Sequence, residues 1–339
     1  MKVSIFDVAK KSGLSVVTVS RVLNNATTVR EKNRQKVLQA MKELDYHPNA
    51  AARSLAKGKT GVIGLILTTL QDSFLDDVVQ HVSSQLKDYG YYLTLSVVNY
   101  PAEEGHGMDL IQEERVDGLL ILSAVNDEQY VAELQKRNIP SVLIDNQMEQ
   151  SQVPSVQVDN FKGGYEATRH LVDMGHTRIA HIQGPSYFLS AVNRERGFMK
   201  ALHEAGLTPF AVEPGEFSIP SGYAAARRWI EAGELPEAVF ASDDYTAIGA
   251  INALNEAGYK VPEDVSVIGY DDQLISAQLR PRLSTVRQPS EQLARTAVDI
   301  LMKQVNGDSS YKPEPVVFTF QPQLLLREST IPRTPLSSP

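Results

Sequence analysis

Ile5-Phe6-Asp7-Val8-Ala9-Lys10-Lys11-Ser12-Gly13-Leu14-Ser15-Val16-Val17-Thr18-Val19-Ser20-Arg21-Val22-Leu23-Asn24 sets two short helical patterns around one sharp turn. Ile5, Val8 and Ala9 recur at i, i+3 and i+4, which predicts a helix over 5–11. Gly13 suits the left-handed residue that ends it. Ser15 is a natural N-cap for a second helix over 16–23, closed by Asn24-Asn25. Val19, Val22 and Leu23 are expected to face inward, leaving Val16, Val17, Ser20 and Arg21 outside. A helix-turn-helix needs this layout: one helix braces the backbone, and the next brings its first residues to base edges. Arg21 could fork onto guanine O6 and N7, and the two valines could meet thymine methyls. An ordinary helical hairpin fits the same spacing.

Outward from this stretch, a third helix is expected from about Arg30 to Leu44, burying Val37, Leu38, Met41 and Leu44. Pro48 cannot continue it. Asn49 can cap a short alanine-rich helix over 50–56, and Lys57-Gly58-Lys59-Thr60 reads as a flexible joint and domain boundary. From Gly61 onward, apolar strands (62–67, 92–98, 118–122, 141–144, 179–182, 238–241, 265–269) alternate with amphipathic helices (for instance 74–89, 161–175, 191–206, 245–258). That alternation predicts an α/β body with parallel sheets and crossover helices. About ten such units exceed one sheet, so two similar lobes are expected. The residues after Thr330, rich in Pro, Ser and Thr, are expected to be disordered.

Composition narrows the function. Hydrophobic residues make up 42% of the 339 and charged ones 22%, as in a folded chain of two or three units. Zero cysteines exclude disulfides and thiolate chemistry. No apolar run reaches membrane-spanning length, and Met1-Lys2 does not open a signal peptide, so a cytoplasmic address with no membrane partner is expected. The net charge of −8 is unevenly spread: residues 1–60 hold twelve Lys and Arg against four acids, a net +8, leaving −16 for the rest. A basic head on an acidic body suits contact with phosphates, because Lys and Arg release their counterions.

The quoted stretch resembles the head of the LacI/GalR family of transcriptional regulators. Tyr46-His47-Pro48-Asn49-Ala50-Ala51-Ala52-Arg53-Ser54-Leu55-Ala56 resembles that family's hinge helix, and Leu326-Arg327-Glu328-Ser329-Thr330 its usual end. The resemblance covers residues 3–330. It implies a three-helix helix-turn-helix head (1–46), a hinge helix and linker (47–59), and a two-lobed, periplasmic-binding-protein-like core (60–330), with a disordered tail (331–339). It also implies a homodimer on a near-palindromic double-stranded operator. DNA contacts are then expected from Phe6, Ser15, Val16, Val17, Thr18, Ser20, Arg21, Asn24, Arg30, Asn49 and Ala52, with Leu55 wedged into the minor groove to kink the duplex. One departure concerns the third helix: where members often place a serine-type cap, Thr28-Val29-Arg30 stands, so Thr28 is expected to cap and Arg30 to meet phosphate.

For the body, the resemblance implies a small sugar effector in the cleft at the carboxyl ends of the strands. The residues carried over are Phe74, Asp145, Ser190, Arg194, Phe217, Asp243 and Asp271; Ser242 stands where asparagine is commoner. A corepressor protein, as some relatives use, is left open as a partner. No catalytic, cofactor or metal constellation is found. Gly58-Lys59-Thr60 lacks the first glycine of a phosphate loop, Gly105-His106-Gly107 is no dinucleotide fingerprint, and His170 and His176 are not at metal-binding spacing. The reading is a sugar-controlled DNA-binding regulator and not an enzyme. The alternative is a sugar-binding protein of transport or chemotaxis, which the basic head and absent signal peptide disfavour.

Overall fold

The computed structural model describes residues 3–24, 26–47, 58–70, 72–98, 115–123, 127–145, 153–308 and 316–333. The chain divides into two compact units, Met1–Gly61 and Val62–Pro339.

The first unit holds α1 (Ile5–Ser12), α2 (Val16–Leu23) and α3 (Glu31–Glu43). Before α1, the Ser4 N–H and hydroxyl both donate to the Asp7 carboxylate, at 2.9 and 2.7 Å. Gly13, at φ 69°, ends the helix. Val8, Ala9, Val19, Val22, Val37 and Ala40 form the core. Two expectations for α3 are corrected. Arg30 occupies its N-cap with no side-chain cap bond, so Thr28 does not close the helix end. Leu38 is 45% exposed and not core. The inward stripe of α3 runs 37, 40, 41, 44, and residue 38 lies a full 100° step away from 37 on the helical wheel. The expected hinge at 50–56, with Asn49, Ala52 and Leu55, lies outside the described residues.

The second unit has two sheets. Six parallel strands run in the order β11-β5-β4-β3-β1-β2, with β1 (Val62–Leu67), β2 (Tyr92–Val97), β3 (Gly118–Leu122), β4 (Ser141–Ile144), β5 (Ser155–Val158) and β11 (Val317–Phe320). Ile63, Leu65 and Leu67 of β1 point to α4 (Ser73–Asp88) and α10 (Ser290–Val305), while Ile66 points to the opposite core with α5 (Asp127–Arg137). The two-residue alternation of a strand therefore fills both faces. The second sheet is β7-β6-β8-β9, from β6 (Ile179–Ile182), β7 (Ala211–Glu213), β8 (Ala238–Ala241) and β9 (Ser266–Ile268), again parallel. Around it lie α6 (Asn160–Asp173), α7 (Leu189–Glu204), α8 (Ile219–Ala232) and α9 (Asp244–Glu256). An antiparallel pair, β10 (Thr285–Arg287) with β12 (Gln323–Leu325), packs on this lobe through Val286 and Leu324.

The described chain passes between the lobes three times: from β5 into α6, from β10 into α10, and from β11 into β12. Strand order reverses at β1 in the first sheet and at β6 in the second, and both sheets open their carboxyl ends there, where a parallel α/β sheet forms its crevice. The segment after Thr330 departs from expectation. Ile331 O accepts from His176 Nε2 at 3.0 Å, and the Arg333 N–H donates to Met174 O at 2.8 Å, so the chain stays anchored through Arg333. Among the described residues no helix is long and apolar enough to cross a membrane.

Candidate functional site

In the head, the Ser15 hydroxyl accepts the Thr18 N–H at 3.2 Å and bonds the Thr18 hydroxyl at 2.9 Å, fixing the start of α2. Val17 is 61% exposed and Phe6 69%. Arg21 is exposed and makes no ion pair among the described residues, and Ser20 is half-buried beside it. Val16 differs from expectation: it packs against the head core, so Val17 alone of the valine pair stands fully outside. Asn24 caps the end of α2 with its side-chain oxygen buried and unpartnered. Arg30 is exposed at the N-cap of α3.

In the body, a cavity of about 520 Å³ opens at the carboxyl ends of the strands. Thr68 reaches it from the end of β1, Ser123 from β3, Asp145 from β4, and Asp271 from the turn after β9. The segments after β6 and β7 add Tyr187, Phe188 and Ser190, then Glu216 and Phe217. Phe74, Asp145, Ser190, Arg194, Phe217 and Asp271 all line this cavity. Asp243 is not on its wall: it is the N-cap of α9, accepting N–H bonds from Tyr245 and Thr246.

Arg194 is the floor. It is 4% exposed, and each of its nitrogens is engaged. Nε donates to Asn160 Oδ1 at 2.9 Å and Nη1 to Ser242 O at 2.6 Å, while Nη2 lies 3.4 Å from Asp271 Oδ1. Its guanidinium lies 3.7 Å from the Tyr270 ring centroid, a stacked cation–π contact. Gly164 of α6 lets α7 come close: a Cβ there would stand 2.2 Å from Arg194 O. Behind the arginine, His181 is stacked between Phe198 and Phe240, with both centroids at 4.9 Å. Burial lowers its pKa to about 4, so the ring is neutral at pH 7. Its Nδ1–H donates to Phe240 O at 2.8 Å, which leaves Nε2 to accept from the Ser242 hydroxyl at 3.5 Å. This places the Ser242 carbonyl that holds Arg194.

The carboxylates are held under tension. Burial pushes Asp271 well above the usual carboxylate range, and the Arg194 charge opposes it. Burial likewise raises Asp145, against a 2.8 Å hydrogen bond donated by the Ser123 hydroxyl. Asp72, capping α4, is raised by burial against N–H bonds from Leu75 and Phe74. Burial works against the Arg194 charge, but Asp271, Tyr270, Asp145 and Asp243 together more than offset it, so that arginine stays charged. Four non-glycine wall residues have left-handed backbones: Ser123 (φ 48°), Asp145 (49°), Phe217 (51°) and Asp271 (101°). Such backbones cost on the order of 1–3 kcal/mol each and cluster where side chains must be aimed.

Sequence reasoning missed Asp72, Thr68, Gln288 and the aromatic pair Tyr187 and Phe188. Asp72 reads as a plain helix cap, and Gln288 reaches Asp271 (2.6 Å) only through the return of the chain after β10. Among the described residues no group of three His, Cys, Asp or Glu side chains is placed to hold a metal ion.

Comparison with known proteins gives consistent matches. Residues 4–49 match the profile of bacterial regulatory proteins of the lacI family, and residues 168–330 match a periplasmic binding protein-like domain. The HTH-type transcriptional repressor PurR of Histophilus somni (strain 129Pt) is 36% identical over 330 residues, covering 96% of this chain and 98% of that protein. The Lac repressor dimer bound to operator and the anti-inducer ONPF has a TM-score of 0.88 at 31% identity, covering 98% of this chain and 100% of that one. A transcriptional regulator CelR–cellobiose complex has a TM-score of 0.71 at 30% identity, covering 97% and 100%.

Proposed function

The chain belongs to the lacI family of bacterial regulatory proteins, and on that premise we propose that it is a cytoplasmic, sequence-specific DNA-binding repressor whose operator affinity is set by a small sugar bound in the cleft. Two heads of a homodimer read half-sites of a near-palindrome through Val17, Ser20 and Arg21, while Leu55 of each hinge wedges into the central minor groove. Residues 1–46 form the reading head, 47–59 the hinge and linker, and 60–330 the dimerising, effector-binding core. The sugar acts by linkage: it changes operator affinity only by as much as it prefers one arrangement of the lobes over the other.

One observation carries the reading. A single chain joins an outward arginine with no ion-pair partner among the described residues, on the second helix of a basic head, to a cavity floored by a buried arginine with all three nitrogens engaged. The test is a gel shift of the full chain on selected and random duplex at two salt concentrations. Binding should fall steeply with salt on both, because phosphate contacts release counterions, and the selected site should be held far more tightly. A chain indifferent to every duplex would favour the transport or chemotaxis reading.

A further inference from the structure

We propose that Asp272, clasped between Arg287 and Arg327, is a coupling residue: it ties the effector wall of the cavity to the segments of chain that cross between the lobes. This rests on the reading of the cavity as the effector site and gives a regulatory role to a side chain that does not line it.

The first ground is that two consecutive carboxylates serve opposite sides. Asp271 and Asp272 follow β9, and both have left-handed backbones, at φ 101° and 56°. Two such residues in a row persist only where their surroundings over-determine them. Here β10 does so. The Asp271 N–H donates to Val286 O at 2.7 Å, and the Asp272 N–H to the Thr285 hydroxyl at 3.3 Å. The two side chains then part. Asp271 meets the cavity, 3.4 Å from Arg194 and accepting from Gln288 at 2.6 Å. Asp272 takes two other cations: Arg287 Nε donates to its Oδ2 at 2.7 Å, and Arg327 Nη2 donates to its Oδ1. An occupant that displaces Asp271 therefore also moves Asp272, through one held dipeptide.

The second ground is where those two arginines stand. Arg287 is the last residue of β10, just before the crossing into α10. Its register partner is Gln323, the first residue of β12, which receives the chain from β11. Phe320, at the end of β11, is tied to the remaining crossing by a 2.9 Å bond from the Asp159 N–H. Arg327 belongs to the closing stretch Leu326-Arg327-Glu328-Ser329-Thr330, which is fixed to the second lobe. Glu328 pairs with Arg282 at 2.7 Å, and the Ser329 hydroxyl donates to Val267 O at 2.6 Å and accepts the Ser284 N–H at 2.8 Å. Arg327 Nη1 donates to Leu283 O at 2.8 Å, so this arginine is a fixed base. The side chains of Asp272 and Arg327 are 10% and 16% exposed, which shields their pairing from solvent, whereas Arg287 at 52% is the open arm at the crossing. Ion pairs at such boundaries set the balance between discrete arrangements of packed bodies.

The experiment uses the full chain and requires no identified effector. The native chain has no cysteine, so spin labels at Ala132→Cys on α5 and His203→Cys on α7, both exposed, are clean reporters of the distance between the lobes. Unlabelled chain in excess keeps the measured distance within one chain. Asp272→Asn keeps the shape of the side chain and suits a left-handed backbone, but removes the charge. It is expected to displace or broaden the distance distribution, and Arg327→Gln to do the same; Arg287→Gln, at an open position, replaces either one that does not fold. On a duplex selected from a random pool, these variants should change operator affinity at least about fivefold without altering the salt slope. Asp272→Asn combined with Arg327→Gln should add little to either alone, because both open one clasp. The link to the cavity is read from Arg194→Met, which should displace the distribution in the native background and not in Asp272→Asn. A merely structural role would lower the melting temperature and leave distances and operator affinity of the folded protein unchanged. That result overturns the proposal, as does an equal displacement by Arg194→Met in both backgrounds. A native chain that binds no duplex removes the repressor reading instead, and the distance distributions alone then decide the inference.

Discussion

Arg194→Met is the sharpest perturbation of the cleft, because it removes the guanidinium but keeps a long apolar side chain of similar reach. It abolishes the bonds to Asn160 (2.9 Å) and Ser242 O (2.6 Å) and the 3.4 Å pairing with Asp271. Breaking a buried pair by removing one partner costs about 3–5 kcal/mol. The cost depends on pH with a definite sign. Burial already lifts the folded-state pKa of Asp271 above its unfolded value, with the Arg194 charge opposing that lift, and losing the arginine lifts it further. A raised carboxylate retains its proton in the folded state, so its contribution is complete at low pH and is lost as pH rises through the folded pKa. The variant's deficit should therefore be smaller near pH 4, where only the bonds to Asn160 and Ser242 O are missed, and approach about 4 kcal/mol at pH 8, about 8–16 °C of melting temperature at 2–4 °C per kcal/mol. Trp229 is the only tryptophan in the chain and is buried in the second lobe, so its fluorescence follows this lobe. A deficit below about 1 kcal/mol at pH 8, or one equal at pH 4 and pH 8, would refute the assigned pairing.

Three further outcomes follow from the same structure. Asp244 accepts from Gln273 N (2.8 Å), the Ser276 hydroxyl (2.6 Å) and the Thr285 hydroxyl (2.6 Å), yet burial raises its pKa to about 7. Stability should fall between about pH 4 and pH 7 by on the order of 4 kcal/mol, and Asp244→Asn should flatten that slope in thermal melts; an unchanged slope assigns it elsewhere. Arg21→Ala should weaken the cognate site by about 1–3 kcal/mol beyond its effect on random duplex, read by competition gel shift, and equal losses would remove its base-reading role. Asp271→Ala should abolish the ligand's effect on operator binding while leaving binding itself intact, measured by fluorescence anisotropy; a normal response would move the effector site.

Much of this was legible in the sequence for identifiable reasons. The head follows from local signals: Ser15 as cap, Gly13 as terminator, and the three-to-four spacing of Ile5, Val8 and Ala9 in the first helix and of Val19, Val22 and Leu23 in the second. The long parallel strands are apolar throughout because both of their faces are covered, as β1 and β3 illustrate. Local signals fail where tertiary packing decides. Val16 shares the apolar character of Val17, and only the fold shows which of them meets the core. Strands of three residues such as β7, β10 and β12 are too short for any periodicity to register, whereas β9 was legible within the apolar run 265–269. In the cleft, the residues read from sequence stand at strand ends or on a helix with a recognisable neighbourhood. Those missed, above all Gln288 and the Tyr187–Phe188 pair, reach the cavity through returns of the chain that no spacing encodes. Asp243 shows the converse: next to Ser242 at a strand end it looks like a ligand contact, but its oxygens are spent on the first turn of α9.

The central claim is that one small sugar and one DNA site are thermodynamically coupled in this chain. The most direct measurement is the affinity of the full-length protein for a duplex selected from a random pool, taken with and without a saturating sugar identified by calorimetry. The account predicts a change of at least about fivefold in operator affinity, mirrored by an equal change in sugar affinity when operator is present. Identical operator affinity in the two conditions, for a ligand shown to occupy the cleft, would contradict it.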